Sequence, residues 1–296
     1  MSPVKRILVA TDFSPHADRA LAHALELAKL FEAELEVFSS AWVPASALAA
    51  ISLGMAPGLV EEARRETTLR SETLAGTLRA KGIRASSSTS ADEPAAAIAA
   101  RAAELGADLV AVGTRGHTGL SHVLHGSTAE RVAQLARTAV LTAHADSPGP
   151  APWRTVLVPT DFSADSAAAI AWARALVAKT GGRLVLVHAY DLPSIALTGS
   201  GLAAASVEKA LADSARQKLG ELRESLRGVE VDTLISAARP DPAIFDALGR
   251  SHADAVVMGT RGRTGLAHVL LGSTAERVIR RAHVPVVTVK AATPPP

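Results

Sequence analysis

The chain contains nearly the same twenty-residue segment twice. Residues 113–132 read GTRGHTGLSHVLHGSTAERV and residues 259–278 read GTRGRTGLAHVLLGSTAERV, and seventeen of the twenty positions are identical. The three differences are spaced by four, which predicts the exposed face of a short helix inside the segment. They fall at 117/263, 121/267 and 125/271. A repeat of this kind predicts two similar domains in tandem.

The length of the chain agrees with two domains. It has 296 residues, whereas one hydrophobic core usually serves about 150. Hydrophobic residues make up 48% of the chain, which is enough for a core in each half. We predict domains at 1–146 and 152–292, joined by a linker at 147–151, because the sequence there is too rich in proline and glycine for a helix or strand.

The composition excludes several classes of function. The chain has no cysteine, so disulfides, cysteine-ligated zinc and thiol chemistry are ruled out. Basic residues are interleaved with acidic ones and aromatic residues make up 3%, which argues against a nucleic-acid partner. Residues 37–60 carry no charge, but prolines and glycines interrupt them, so we predict no membrane span. The amino terminus lacks the apolar region of a signal peptide, and we expect a cytoplasmic protein.

Strand and helix patterns alternate in both halves. The runs at 6–10 and 155–159 are short and continuously apolar, as in strands buried on both faces. Ser14 followed by Pro15 predicts a helix start, with an N-cap serine and a proline in the first turn. Strands that alternate with long helices predict, for each half, a five-stranded parallel doubly wound α/β domain of the Rossmann-like type.

Two motifs follow the first and fourth predicted strands. Thr-Asp-Phe-Ser, which contains Asp12 in one half and Asp161 in the other, ends the first strand. The glycine-bearing segment ends the fourth. Ligands of doubly wound sheets bind at the carboxyl ends of strands, so we expect both motifs to open into one crevice. An aspartate in this place also commonly caps the following helix, and that alternative stays open.

The glycine pattern is Gly-x-x-Gly-x9-Gly-Ser in both halves. Glycine allows a ligand to approach the backbone closely. Ser127 to Glu130 and Ser273 to Glu276 match the S-x-x-E capping box, and a helix amino terminus beside the glycines favours a phosphate. Arg115 and Arg261 are candidates to add positive charge. The alternative is a tight turn followed by an ordinary N-cap.

Both halves resemble the ATP-binding subclass of universal stress proteins, which is defined by G-2x-G-9x-G-[S/T]. The resemblance covers nearly the whole chain. It implies a fold related to the adenine nucleotide α-hydrolases and one ATP in each domain, with Mg²⁺ bridging the phosphates as a hypothesis. In the first half the implied nucleotide contacts are Ala10, Asp12, Ser40, Val112, Gly113, Gly116, Gly126, Ser127 and Thr128. In the second half they are Pro159, Asp161, Ala189, Met258, Gly259, Gly262, Gly272, Ser273 and Thr274. The family often has histidine at the end of the second strand, which His188 matches and Ser39 does not.

Three functions remain open at this point. The first is a nucleotide-dependent regulator of the stress response that acts on an unidentified protein partner. The second is a slow ATP hydrolase, although the sequence shows no evident catalytic base. The third is a scaffold that binds no nucleotide. Family members dimerise through the last strand, which implies an intrachain pseudo-dimer and leaves a homodimer open. We predict no protein-ligated metal site, because the histidines at 117, 122 and 125 fit a solvated helix face.

Overall fold

The computed structural model describes residues 4–43, 58–114, 128–150, 152–190, 201–262 and 271–291. The chain divides into two compact units, residues 1–151 and 152–296. The described residues of each unit form five parallel strands separated by helices, so the predicted fold class is confirmed.

The first unit alternates strands and helices along its whole length. The elements are β1 (Arg6–Ala10), α1 (Pro15–Phe31), β2 (Glu34–Ser40), α2 (Leu59–Ala80), β3 (Ala85–Ser90), α3 (Pro94–Leu105), β4 (Leu109–Gly113), α4 (Thr128–Leu135) and β5 (Ala139–Ala143). The strand order is β3-β2-β1-β4-β5. In the register of β1 against β4, Ala10 is opposite Val112.

The second unit repeats this plan. Its elements are β6 (Thr155–Pro159), α5 (Ala164–Thr180), β7 (Arg183–Ala189), α6 (Gly201–Ser225), β8 (Glu230–Ser236), α7 (Pro240–Ser251), β9 (Ala255–Gly259), α8 (Ser273–Arg281) and β10 (Val286–Val289). The strand order is β8-β7-β6-β9-β10, the same as in the first unit. In both units the first and fourth strands are therefore neighbours, as the crevice prediction requires.

Local sequence explains where several elements begin and end. The hydroxyl of Ser14 accepts a hydrogen bond from the Ala17 N–H at 3.3 Å, so the predicted cap of α1 is confirmed. The C-caps of helices α3 and α7 are Gly106 and His252, and both residues have the left-handed backbone conformation. Glycine adopts that conformation without steric cost, whereas histidine does so with some strain.

Asp108 and Asp254 lie just before the fourth strand of their units. Asp108 Oδ2 accepts hydrogen bonds from the backbone N–H groups of Lys5 and Arg6, at 2.7 and 3.0 Å. Asp254 makes the corresponding pair of bonds, both at 2.8 Å. These carboxylates hold the starts of β1 and β6 against the neighbouring chain segment.

The chain after β5 packs against α1 before it leaves the first unit. Ser147 is buried and its N–H donates to the His144 carbonyl at 3.1 Å. Arg19 Nε donates to the Ala145 carbonyl at 3.3 Å. The predicted linker at 147–151 thus begins inside packed structure of the first unit. Among the described residues, no helix combines the length and apolar character needed to cross a membrane.

The predicted exposed helix inside the repeat falls mostly outside the described residues. Of its six positions only Leu271 is described. Leu271 lies in a bend and is 7% exposed. The prediction of an exposed face is wrong at this position, because an apolar side chain there gains more from burial than from a solvated helix surface.

Candidate functional site

The carboxyl ends of β6 and β9 border a cavity of about 720 Å³ in the second unit. A cavity of this volume suits a small-molecule ligand. All ten residues that the sequence predicted for the second site line it: Pro159, Asp161, Ala189, Met258, Gly259, Arg261, Gly262, Gly272, Ser273 and Thr274. The structure therefore brings the two motifs together across about a hundred residues of sequence, while their role in binding stays a prediction.

The N-cap of α5 is Ser163, and Asp161 lies in the turn that precedes it. Its Oδ1 atom accepts a hydrogen bond from the Ser163 N–H at 3.1 Å, which fixes the turn before α5. Its Oδ2 atom lies 2.9 Å from the position that a β-carbon on Gly262 would take. One carboxylate oxygen thus holds the turn and the other faces the glycine segment. In the first unit Asp12 Oδ1 accepts from the Ser14 N–H, also at 3.1 Å.

The residue after each aspartate is strained. Phe13 and Phe162 have backbone φ angles of 60° and 63°, in a range that residues other than glycine rarely adopt. The N–H of Phe162 donates to Thr160 Oγ1 at 3.1 Å and the Phe162 ring lies 4.6 Å from that of His188. His188 Nδ1 is 2.7 Å from the Thr160 carbonyl, so this nitrogen carries the proton. Strain that persists beside a cavity is typical of functional sites.

Gly113 and Gly259 serve helix packing. A β-carbon on Gly113 would lie 2.6 Å from the Ala17 backbone nitrogen, and one on Gly259 would lie 2.9 Å from the Ser166 nitrogen. Contacts this short with backbone atoms do not occur, so only glycine lets the starts of α1 and α5 approach the ends of β4 and β9. This packing requirement stands beside the close approach of a ligand that the sequence analysis assigned to these glycines, and that role stays a prediction.

The predicted capping box is wrong in the second unit. Helix α8 has Gly272 as its N-cap and Ser273 as its first residue. The N–H of Gly272 donates to the Thr260 carbonyl at 2.7 Å, and this tertiary bond sets where the helix begins. Glu276, expected to complete the box, pairs with Arg280 at 2.9 Å. The first N–H groups of a helix have no acceptor within it, and in α8 they belong to residues on the cavity wall.

The expected positive charge of Arg261 is largely neutralised. Its Nε and Nη2 atoms lie 3.1 and 3.3 Å from the two carboxylate oxygens of Asp165. Burial raises the pKa of Asp165, but hydrogen bonds from Arg261 and other donors outweigh it and hold that pKa below its usual value. The same pair raises the pKa of the Arg261 guanidinium. Arg261 therefore lines the cavity as half of an ion pair.

Lys218 is a cationic residue of the cavity that sequence reasoning missed. It lies on α6, and its ammonium is 5.6 Å from the centre of the Phe162 ring. The remaining wall residues that were not predicted are Phe162, Ser166, His188, Tyr190, Leu211, Ser214, Ala215, Pro240, Thr260 and Ala275. Four wall residues belong to α6 and recur at helical spacing: Leu211, Ser214, Ala215 and Lys218. That spacing predicts one face of a helix, but no local sequence pattern predicts that this face borders the cavity.

The first unit brings the described part of its predicted site to the same edge of its sheet. Ala10 and Val112 lie opposite each other near the ends of β1 and β4, and Gly113 is the last residue of β4. Ser40 ends β2, where its hydroxyl donates to the Asp92 carbonyl at 2.6 Å, and Thr128 begins α4. The other predicted residues, Arg115, Gly116, Gly126 and Ser127, and the histidines at 117, 122 and 125, lie outside the described residues.

Comparison with known proteins agrees with this arrangement. A model of the universal stress protein family matches residues 3–144 and again residues 152–290, so the chain belongs to this family and carries its domain twice. Universal stress protein MJ0531 of Methanocaldococcus jannaschii is 30% identical over 141 residues, which are 47% of this chain and 82% of that protein. Universal stress protein Rv2005c of Mycobacterium tuberculosis is 31% identical over 190 residues, 62% of each chain.

A solved structure supports the fold. The universal stress protein from Archaeoglobus fulgidus matches with a TM-score of 0.70 and 24% identity, covering 99% of this chain and 100% of that one. The resemblance of both halves to universal stress proteins is confirmed by the family model that matches each of them.

Proposed function

We propose that the protein binds an adenine nucleotide, ATP, in the cavity of the second unit and at the equivalent place in the first. The observation that carries this proposal is the convergence of all ten predicted residues of the second half on one cavity. The parallel pairing of β6 and β9 brings the two motifs, about a hundred positions apart, to one edge of the sheet, and the glycines, hydroxyls and helix terminus that they place around one space support a ligand site. The amino terminus of α8 and the half-buried carboxylate of Asp161 meet there.

The charges of the cavity suit a nucleotide whose phosphates are already bound to a cation. The amino terminus of α8 presents Ser273 and Thr274, where backbone N–H groups and the helix dipole favour an anion. Lys218 adds a positive charge, while Asp165 cancels that of Arg261. A triphosphate would exceed this positive charge, which supports the further proposal that Mg²⁺ accompanies ATP.

Two described residues of the cavity wall are each followed in the chain by a further segment, and we infer that binding is communicated to a partner through these segments. Tyr190 and Gly262 line the cavity, and the chain continues from them into 191–200 and 263–270. We propose that ATP favours one arrangement of these segments and that a protein partner recognises it. Such a ligand shifts the equilibrium only by its difference in affinity for the two states. We expect regulation by occupancy, with any hydrolysis slower than about 1 per second, the lower end of ordinary enzyme turnover.

The proposal is tested by counting bound nucleotides. Isothermal titration of the purified chain with ATP and Mg²⁺ should give two sites, and denatured protein should release adenine nucleotide detectable by mass spectrometry. Gly262→Ala should weaken the second site, because its β-carbon would sit 2.9 Å from Asp161 Oδ2 and that carboxylate must shift within the cavity to make room. Gly249→Ala is the matched control, since a β-carbon there meets no atom of the described structure within 4 Å.

Two results would overturn the proposal. If the wild type binds no ATP, shows no thermal shift with ATP and releases no nucleotide, the protein is a scaffold. If ATP is consumed faster than about 1 per second, the protein is an enzyme. A variant with alanine at Ser127 and Ser273 is the control for contaminating ATPase activity.

A further inference from the structure

The amino-terminal edge of the first unit's sheet borders a further cavity, of about 500 Å³. It lies where β1, β2 and β3 begin and where α2 and α3 end, so it is at the opposite edge of the sheet from the candidate nucleotide site. Three arginines line it: Arg6, Arg79 and Arg84. They come from three different segments of the chain, and only the fold brings their guanidinium groups to one space.

Each of these guanidinium groups is held by a backbone carbonyl and not by an acid alone. A guanidinium has five N–H donors, so one bond to a carbonyl fixes the group and leaves other donors for a ligand. Such a group loses little freedom when it binds. The bonds run from Arg6 Nη1 to the Leu105 carbonyl, from Arg79 Nη1 to the Ala85 carbonyl at 3.0 Å, and from Arg84 Nη2 to the Glu32 carbonyl at 2.5 Å.

The acidic residues of this cavity leave an excess of positive charge. Glu36 is 5% exposed, and its two carboxylate oxygens accept from Arg101, on α3, at 2.7 and 2.9 Å. Glu34 Oε1 lies 3.5 Å from Arg84 Nη1 and offsets one arginine. Three arginines less one glutamate leave two positive charges on the wall. A phosphate monoester carries about −1.5 to −2 at pH 7, so the two charges match.

The second unit has a cavity of about 390 Å³ beside the corresponding strands and helix ends, and its wall again has more arginines than acids. The charged residues of that wall are Arg183, Arg223, Arg250 and Asp232. They do not come from equivalent positions of the repeat. By strand register, Arg183 stands where the first unit has Glu34, and Glu230 stands where it has Arg84. Duplication of the sequence therefore does not explain why both cavities are positive.

We propose that the cavity of the first unit binds a small organic phosphate monoester. Arginine suits this ligand because its planar group places paired N–H donors against phosphate oxygens. Leu35, Ile83 and Leu105 give the wall an apolar part for the organic group, and the volume lies in the range of small-molecule sites. The proposal does not depend on nucleotide binding at the other edge of the sheet.

Residue-resolved NMR of the full isotope-labelled chain tests the proposal. Phenyl phosphate is titrated in at constant ionic strength, and the amide signals of the wall residues Gly82 and Ala85 are followed. We expect saturable shifts at both amides. Benzoate, with one negative charge, and benzyl alcohol, with none, should bind more weakly than phenyl phosphate.

Two arginine variants show whether the guanidinium groups are responsible. Arg79→Gln combined with Arg84→Gln should weaken phenyl phosphate binding at least about tenfold, the loss of one charge-assisted hydrogen bond. Arg64→Gln combined with Arg65→Gln is the matched control. It removes the same charge from exposed positions of α2 that do not line the cavity, and binding should stay as in the wild type.

Glu34→Gln guards against simple loss of folding. It removes the acid beside Arg84, and we expect phenyl phosphate to bind about threefold more tightly. Damage to the structure would not produce such a gain. The inference is overturned if Gly82 and Ala85 do not shift in the wild type, if the double variant at 79 and 84 binds as tightly as the wild type, or if benzoate binds as tightly as phenyl phosphate.

Discussion

Replacing Gly259 with alanine should destabilise the second unit although the change adds one methyl group. The new β-carbon would lie 2.9 Å from the carbonyl carbon and the β-carbon of Asp165 and from the backbone nitrogen of Ser166. These atoms belong to the start of α5, so the clash is relieved only if the helix moves away from β9. Overpacking of this kind costs about 1–3 kcal/mol, and we take about 2 kcal/mol.

The same substitution at Gly220 should have the opposite sign. Gly220 lies inside α6, and a β-carbon there meets nothing within 4 Å in the described part of the chain. Alanine favours a helix over glycine by about 0.5–1 kcal/mol. The pair of variants therefore separates steric packing from the general effect of removing a glycine.

Thermal unfolding followed by circular dichroism measures both effects. For a domain of this size 1 kcal/mol shifts the midpoint by about 2–4 °C, so Gly259→Ala should lower it by about 4–8 °C. Gly220→Ala should raise it by about 1–4 °C. If Gly259→Ala unfolds at the wild-type temperature while Gly220→Ala behaves as expected, the packing role assigned to Gly259 is wrong.

Two further predictions concern stability in the first unit. Burial and the positive charge of Arg19 lower the pKa of His23 from 6.5 to about 4. Between these values the unfolded chain binds a proton that the folded chain does not, so the free energy of unfolding should fall by about 3 kcal/mol as the pH drops from 6.5 to 4. Urea titrations across this range check it, and His23→Leu should flatten the dependence. Glu36 is 5% exposed and pairs with Arg101 at 2.7 Å. Arg101→Ala should lower the free energy of unfolding by about 2–3 kcal/mol, because it removes the charged partner of the buried Glu36 carboxylate. The triple variant that combines Arg101→Ala with Glu36→Val and Ser88→Leu copies the apolar residues of the second unit. It should recover most of the lost stability.

The order of strands and helices was predictable because it depends on local patterns. Continuous apolar runs mark strands buried on both faces, and the serine and proline at 14–15 mark a helix start that the structure confirms. The edge of the sheet that holds the candidate site followed from the same reasoning, since parallel strands present their carboxyl ends together. Family resemblance then supplied nine of the ten predicted residues that line the cavity of the second unit, and the expectation of positive charge beside a phosphate supplied Arg261.

The roles of individual residues were less predictable. The glycine pattern predicts that Gly259 lets a ligand approach the backbone. The atoms that exclude a side chain there belong to α5, nearly a hundred residues earlier in the chain. Ser273 reads as a helix cap, but the bond from Gly272 to the Thr260 carbonyl moves the cap by one residue. Lys218 is one of several charged residues on the long helix α6, and only the packing of that helix in the second unit places it beside the cavity.

The amino-acid sequence by itself determined that this protein has two copies of a parallel α/β domain with the same glycine and serine pattern in each, because periodicity, capping residues and glycine spacing act over a few residues. Only the tertiary structure decided that Asp165 pairs with Arg261 and accepts a hydrogen bond from Thr260. Ion pairs and steric contacts depend on distances in space, and the chain brings these two side chains together across 96 positions.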